Sequence, residues 1–358
     1  MQNLSKISAR ACTKLILCGE HSVVYGGKAV AIPIGVFNDI EMQVARRDSK
    51  TPKISFYYKN LERDCGMVSE LLIQGKKFVE SGDSYYFLFT RVAQFVLEKN
   101  NLDLTDELEF HLLQRGSKGM GNSSSFGAGI AAVLLSYFGI SFDGEKLFEA
   151  SQFGDLFITG GKASGIDAKT ICSGAAQNFS KTFLPDGTVG YDFEKLVVSL
   201  PRNTKLLIAI PVLPPGKNPQ DTGELVALFA KNNNITKKPG ELSEEERKKI
   251  TGPFDSVVER IEKELNGNGD AVLLGKLFNE NHALLKKAGV SSQNIETAIE
   301  ISLKNGALGA KLTGAGGDGG AVIVLAREEN AEAILNNLEK QSFKVLEAEI
   351  AEKGVEVL

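Results

Sequence analysis

Nine mostly small or polar residues, S-K-G-M-G-N-S-S-S, lie between a short strand-like run at 109–113 and an apolar stretch at 128–138 that suits a buried helix. The order strand, small-residue loop, helix constrains the fold more tightly than any other segment. In the run Ser117, Lys118, Gly119, Met120, Gly121, Asn122, Ser123, Ser124 and Ser125, the glycines and serines let backbone N–H groups converge on an anion. The helix that follows adds the positive end of its dipole. Such a loop suits phosphates. No G-K-[ST] closes it, so it is not the P-loop of the common NTPases. Serine- and glycine-rich runs are also ordinary linkers, but the strand before and the helix after argue against that here.

Three other segments carry chemistry. The run K-L-I-L-C-G-E-H-S-V-V-Y-G-G at 14–27 reads as a buried strand through Leu15, Ile16 and Leu17 that turns at Gly19 and delivers Glu20 and His21 at its end. The bland alternative is a strand and turn whose Glu and His face water. The cluster G-A-G-G-D-G-G at 314–320 contains a nominal G-x-G-x-x-G. A dinucleotide fingerprint follows a strand and opens a helix, whereas this run is read as following a helix that ends near Asn305 and opening a strand at 321–325. The segment G-K-A-S-G-I-D at 161–167 places one carboxylate, Asp167, in a small-residue loop, where a lone Asp is usually a turn former.

The 358 residues exceed what one core usually organises and suggest two domains, divided near residue 200 into 1–200 and 201–358. The net charge of -4 argues against nucleic acid as a partner. No window approaches the roughly 20 apolar residues of a membrane span, and residues 1–11 lack the apolar core of a secretory signal, so a cytoplasmic protein is expected. The four cysteines form no C-x-x-C pair and are expected as free thiols, and the three histidines are too scattered for a zinc site. Strands are expected at 40–44, 54–58 and 206–210, and helices at 85–99, 253–265, 271–288, 294–305 and 331–340. Residues 211–223 read as a turn-rich connection and 232–249 as a polar excursion.

Taken in order, these segments resemble the motifs of the GHMP kinase superfamily, and within it the mevalonate kinases. E-H-S-V-V-Y-G, G-M-G-N-S-S-S and K-L-T-G-A-G-G-D-G-G resemble its three motifs, S-G-I-D the segment with its catalytic Asp, and F-N-E-N-H-A-L-L-K-K-A-G-V-S the helix before the third motif. The resemblance implies an α+β, two-domain fold. Its N-terminal domain would be like the second domain of ribosomal protein S5 and its C-terminal domain ferredoxin-like, with the active site in the cleft between them. It implies transfer of phosphate from ATP, with Mg²⁺, to mevalonate, with neither nucleic acid nor membrane as a partner and a homodimer left open. Alternatives are phosphomevalonate or another small alcohol as acceptor, or a non-catalytic nucleotide-binding regulator.

Residue by residue, the resemblance makes Asp167 and Lys14 catalytic and Ser117 to Ser125 the ATP phosphate loop. Ser123 and Asp155 would hold Mg²⁺, and Glu20, His21, Thr222, Gly314 and Ala315 would face the substrate. The chain departs from the family pattern at Asn122 and Asp155, where serine and glutamate are usual, and at Asp318, which interrupts the third glycine run. Gln220 stands where mevalonate kinases commonly carry an arginine.

Overall fold

The computed structural model describes residues 6–161, 163–184, 188–214, 216–217, 220–265 and 268–358. In chain order the first elements are β1 (Lys6–Cys18), β2 (Ala29–Arg46), β3 (Lys53–Asn60), β4 (Asp64–Gln74), β5 (Lys77–Gly82), α1 (Phe87–Lys99) and β6 (Glu107–Gln114). Three helices follow, α2 (Asn122–Tyr137), α3 (Gly144–Ile158) and α4 (Ile166–Ser173), and then β7 (Ala176–Phe183), β8 (Val189–Leu196) and β9 (Thr204–Pro211). Next come α5 (Thr222–Asn232), α6 (Glu244–Glu264), α7 (Ala271–Lys287) and α8 (Gln293–Lys304). The last elements are β10 (Ala307–Thr313), β11 (Ala321–Arg327), α9 (Glu328–Glu339), β12 (Phe343–Ala348) and β13 (Val355–Val357). None of the helices among the described residues is long and apolar enough to cross a membrane.

The chain forms two compact units whose segments interleave. Met1–Lys14, Pro33–Ala175 and Ala351–Leu358 make the first, and Leu15–Ile32 with Ala176–Ile350 the second. In the first unit the strands run β13-β1-β2-β6-β3-β4-β5, with β3 and β6 parallel and Phe56 opposite Phe110. Alternate residues Ile40, Met42, Ile54, Phe56, Leu108 and Phe110 turn inward and are fully buried, the period-2 pattern of a one-sided sheet. Helices α1 to α4 pack on one another. Residues Ser124 to Leu135 of α2 are all buried, which is why this helix reads as apolar all round.

The second unit carries a four-stranded antiparallel sheet ordered β12-β9-β11-β10. Strands and helices alternate as β9, helices, β10, β11, α9, β12, which is the ferredoxin-like arrangement the resemblance implies. Its core includes Leu207, Phe229, Leu285, Val290, Leu312, Val324 and Ile334. The β7–β8 hairpin belongs here because β7 pairs with Ala29–Ala31 at the start of β2.

Several elements differ from the sequence reading, each for a local reason. Helix α2 starts at Asn122 rather than near 128, so Asn122 to Ser125 are its first turn and not loop. Asp167 lies in the first turn of α4, which opens after Gly165 in a left-handed conformation (φ 86°). Within 211–223, Asp221 caps α5 by accepting from the N–H groups of Gly223 and Glu224. Helix α6 starts at Glu244 behind a Ser243–Glu246 capping box and runs through Pro253, so the polar excursion is partly helix. The glycine run at 314–320 links the two strands β10 and β11, not a helix to a strand, and this also excludes a dinucleotide fingerprint.

Candidate active site

In the first unit the loop between β6 and α2 has the features an anion requires. Gly119 and Gly121 take left-handed backbones (φ 86° and 72°), and Gly121 stands as N-cap of α2 with no side-chain cap. The first N–H groups of the helix are therefore not consumed by a capping side chain. Gly121 must also be small: a Cβ there would come within 3.1 Å of the Lys14 side chain. Lys14 is buried in β1, its N–H donates to Met120 O at 2.9 Å, and its Nζ donates to Gly119 O at 3.3 Å. The same ammonium lies 3.0 Å from Asp167 Oδ1, whose side chain is 36% exposed. Asp155, buried in α3, accepts a hydrogen bond on Oδ2 from Ser124 Oγ, and its Oδ1 has no hydrogen-bond partner among the described residues.

The loop and Asp167 border a cavity of about 990 Å³, whose lining includes Lys118, Gly119, Gly121, Asn122, Ser123 and Asp167. Tyr58, Tyr86, Phe89, Phe126, Phe157 and Ile158 line it as well. A cavity with both polar and aromatic lining fits a ligand that is part anion and part flat apolar ring. The sequence reading did not select the aromatic residues, because they come from β3, α1, α2, α3 and the turn before α1, with no common motif. Asn38, which ties the loop down, was also missed: a single Asn in a strand carries no signal.

In the second unit, Glu20 is buried in an ion pair with the fully buried Lys311 of β10, whose Nζ also donates to Leu312 O at 2.6 Å. His21 takes a left-handed backbone (φ 61°), stacks on Phe229 of α5 and hydrogen-bonds through Nε2 to Ala315 O at 2.9 Å. Burial lowers its pKa, partly offset by the bond to Ala315. The neutral ring therefore donates from Nε2, and the buried Nδ1 is left as an acceptor without a partner among the described residues. Gly314 follows β10 with an open left-handed backbone (φ 74°), and Thr222 is the exposed first residue of α5. Gln220 accepts on Oε1 from Asp318 N and donates its own N–H to Asp318 O, both at 3.0 Å, so its side-chain oxygen is engaged in holding the β10–β11 turn. Lys217 lies 3.2 Å from the Asp318 carboxylate and offsets the charge that interrupts the glycine run.

Residues 258–344 match the family model described as GHMP kinases C terminal. Over 351 residues the chain is 28% identical to a mevalonate kinase of Thermococcus sibiricus, covering 91% of each sequence. The fold matches the solved structure of Methanococcus jannaschii mevalonate kinase with a TM-score of 0.73 at 22% identity, covering 97% of this chain and 99% of that one. The chain thus carries a GHMP kinase C-terminal domain and is similar to mevalonate kinases over most of its length. A Lactococcus lactis galactokinase complexed with galactose matches almost as well, with a TM-score of 0.72 at 18% identity over 99% of this chain and 95% of that one. The fold therefore does not choose the acceptor.

One carboxyl beside the start of α2 has a raised pKa. Burial pushes Asp155 up to about 6, opposed by the hydrogen bond from Ser124 and reinforced by the charge of Asp167. The sign follows from proton binding. Between an ordinary pKa of 3.8 and about 6 the folded protein holds a proton that the unfolded chain has released. Stability therefore falls as pH rises through that window, and the cost is complete above it. Asp155→Asn keeps an acceptor for Ser124 and removes the charge, so without added divalent cation it is expected to stabilise the protein by about 2 kcal/mol at pH 8. Urea unfolding at pH 8 and near pH 4 measures this: the gain should shrink toward zero at the lower pH, and an equal gain at both would contradict it.

Proposed function

We propose that the chain is a mevalonate kinase that transfers the γ-phosphoryl group of ATP to the primary hydroxyl of mevalonate, giving 5-phosphomevalonate and ADP in isoprenoid precursor synthesis in the cytosol. The observation that carries the reading is the Lys14–Asp167 pair, 3.0 Å apart beside the uncapped start of α2. A helix start free of a side-chain cap suits the ATP phosphates, and Lys14 supplies a fixed positive charge where negative charge is spread in phosphoryl transfer. Asp167 orients the acceptor hydroxyl and takes its proton as the new P–O bond forms and the bond to the ADP oxygen breaks. Phosphoryl transfer through a loose transition state asks little of a base, so positioning and charge neutralisation contribute more than proton abstraction.

Asp155 and Ser123 suit a magnesium ion. Asp155 Oδ1 is buried without a hydrogen-bond partner among the described residues, and hard oxygen donors are the ligands this ion prefers. When bound with the nucleotide, the ion neutralises phosphate charge. In the second unit, His21 offers a buried acceptor nitrogen suited to a hydroxyl of a small alcohol.

Mevalonate is preferred over other alcohols because the sequence relatives that cover most of the chain are mevalonate kinases. A panel of mevalonate, phosphomevalonate, galactose and homoserine with labelled ATP tests the acceptor. Mevalonate should exceed the others by roughly 100-fold or more in kcat/KM, a difference of about 2.7 kcal/mol in transition-state binding. Preferential labelling of another alcohol would overturn the choice.

A further inference from the structure

Asn38 lies fully buried in β2, and its amide makes four hydrogen bonds. Its Oδ1 accepts from the N–H groups of Arg115 at 2.8 Å and Gly116 at 3.1 Å. Its Nδ2 donates to Asn122 Oδ1 and to Ser125 Oγ, each at 3.1 Å. Asn122, the first residue of α2, turns its own Nδ2 back to Gly116 O at 3.1 Å and Ser117 O at 2.8 Å. Ser125 completes the set by donating to Ala11 O at 3.0 Å. The approach is close enough to demand glycine: a Cβ on Gly116 would come within 2.3 Å of Asn122 Oδ1.

We propose that Asn38 and Asn122 form an amide clip that sets the shape of the phosphate loop, with Asn38 a positioning residue that does not touch ATP. The two amides engage their donors and acceptors at the root of the loop, residues 115–117, while Lys118 and Gly119 at its tip stay exposed. A buried amide with every bond satisfied has one low-energy orientation, and losing one member strands the partners of the other. The clip fixes where the loop leaves β6 and where α2 begins, and so the direction of the backbone N–H groups between them. Asn122, unusual for the family, is then the half of the clip that a serine could not supply: one hydroxyl cannot reach both Gly116 O and Ser117 O.

The inference rests on the loop binding ATP, and the test separates the two. Binding of ATP and AMP is measured by calorimetry on the wild type, Asn38→Ala, Asn122→Ala and the double variant, with thermal melts alongside. Each single variant should weaken ATP about 10-fold and AMP less than about twofold, since AMP carries a single phosphate. The double variant should also lose about 10-fold, where independent sites would give about 100-fold. If Asn38→Ala does not fold, Asn122→Ser serves, with the same ATP-over-AMP loss expected. Unchanged ATP affinity in the single variants, equal loss for ATP and AMP, or additive loss in the double variant would each overturn the clip. A wild type that does not bind ATP would overturn the kinase reading itself.

Discussion

Asp167→Ala is expected to lower kcat by roughly 10³-fold or more while the Kd for ATP stays within about threefold. Among the described residues the carboxylate is ion-paired with the Lys14 ammonium at 3.0 Å, and that lysine also donates to Gly119 O. Removing the carboxylate therefore leaves Lys14 in place against the loop, and nucleotide binding is retained. What is lost is the group that orients the acceptor oxygen and receives its proton. Asp167→Asn is the sharper variant, since its side-chain oxygen still accepts from Lys14 and the geometry survives without the charge; kcat should fall nearly as far. The competing reading is that Asp167 only favours the start of α4, where a carboxylate in the first turn contributes about 0.3–1 kcal/mol through the helix dipole. That reading predicts a small loss of stability with full activity. Steady-state kinetics together with nucleotide titration distinguish the two.

Lys311→Met should cost about 3–5 kcal/mol of stability, the range found when one partner of a buried ion pair is removed. Lys311 and Glu20 are both almost wholly shielded from water, so the substitution strands the Glu20 carboxylate in a low-dielectric site. Glu20 directly precedes His21, whose left-handed backbone is unfavourable for a side chain that large. Held at one side by Glu20–Lys311 and at the other by Phe229 and Ala315 O, the His21 ring keeps the tautomer that leaves Nδ1 free to accept. The double variant Glu20→Leu, Lys311→Met should recover most of the stability, because an apolar pair of similar volume carries no desolvation cost. It should not recover the KM for the acceptor. Urea unfolding of the three variants measures the first part. A single variant that loses less than about 1 kcal/mol would contradict it, since that is the range of an exposed pair.

The parts of the site legible in the sequence were those whose chemistry is compressed into a few adjacent residues. The loop at 117–125, the Lys14 strand and Asp167 are such runs, and the structure brings Lys14, Asp167, Gly119 and Gly121 together as neighbours. The ferredoxin-like arrangement was legible only through the resemblance, since β12 is short and carries no strong pattern. Helices α3, α4 and α5 were not legible. Each is short or half-polar and starts at a cap, Asp143, Gly165 and Asp221, that reads equally well as a turn residue. The start of α6 was masked by Pro253, which suggested a first turn where the structure has a helix interior. Glu20 shows the limit most clearly. Its place at the end of a strand suggested a side chain facing a ligand, but Lys311, distant in sequence by 291 positions, takes up the carboxylate. Gln220 is a similar case: as a departure from a family arginine it reads as a missing cation, whereas its side chain holds the turn at Asp318.

The central claim is phosphoryl transfer from ATP to one hydroxyl of mevalonate, and phosphorus NMR of the reaction mixture tests it most directly. With mevalonate, ATP and magnesium, a phosphomonoester resonance should grow in step with the ADP signals, split by the two protons of the primary carbon. Growth of inorganic phosphate alone, or no change in mevalonate while another alcohol is phosphorylated, would contradict the account.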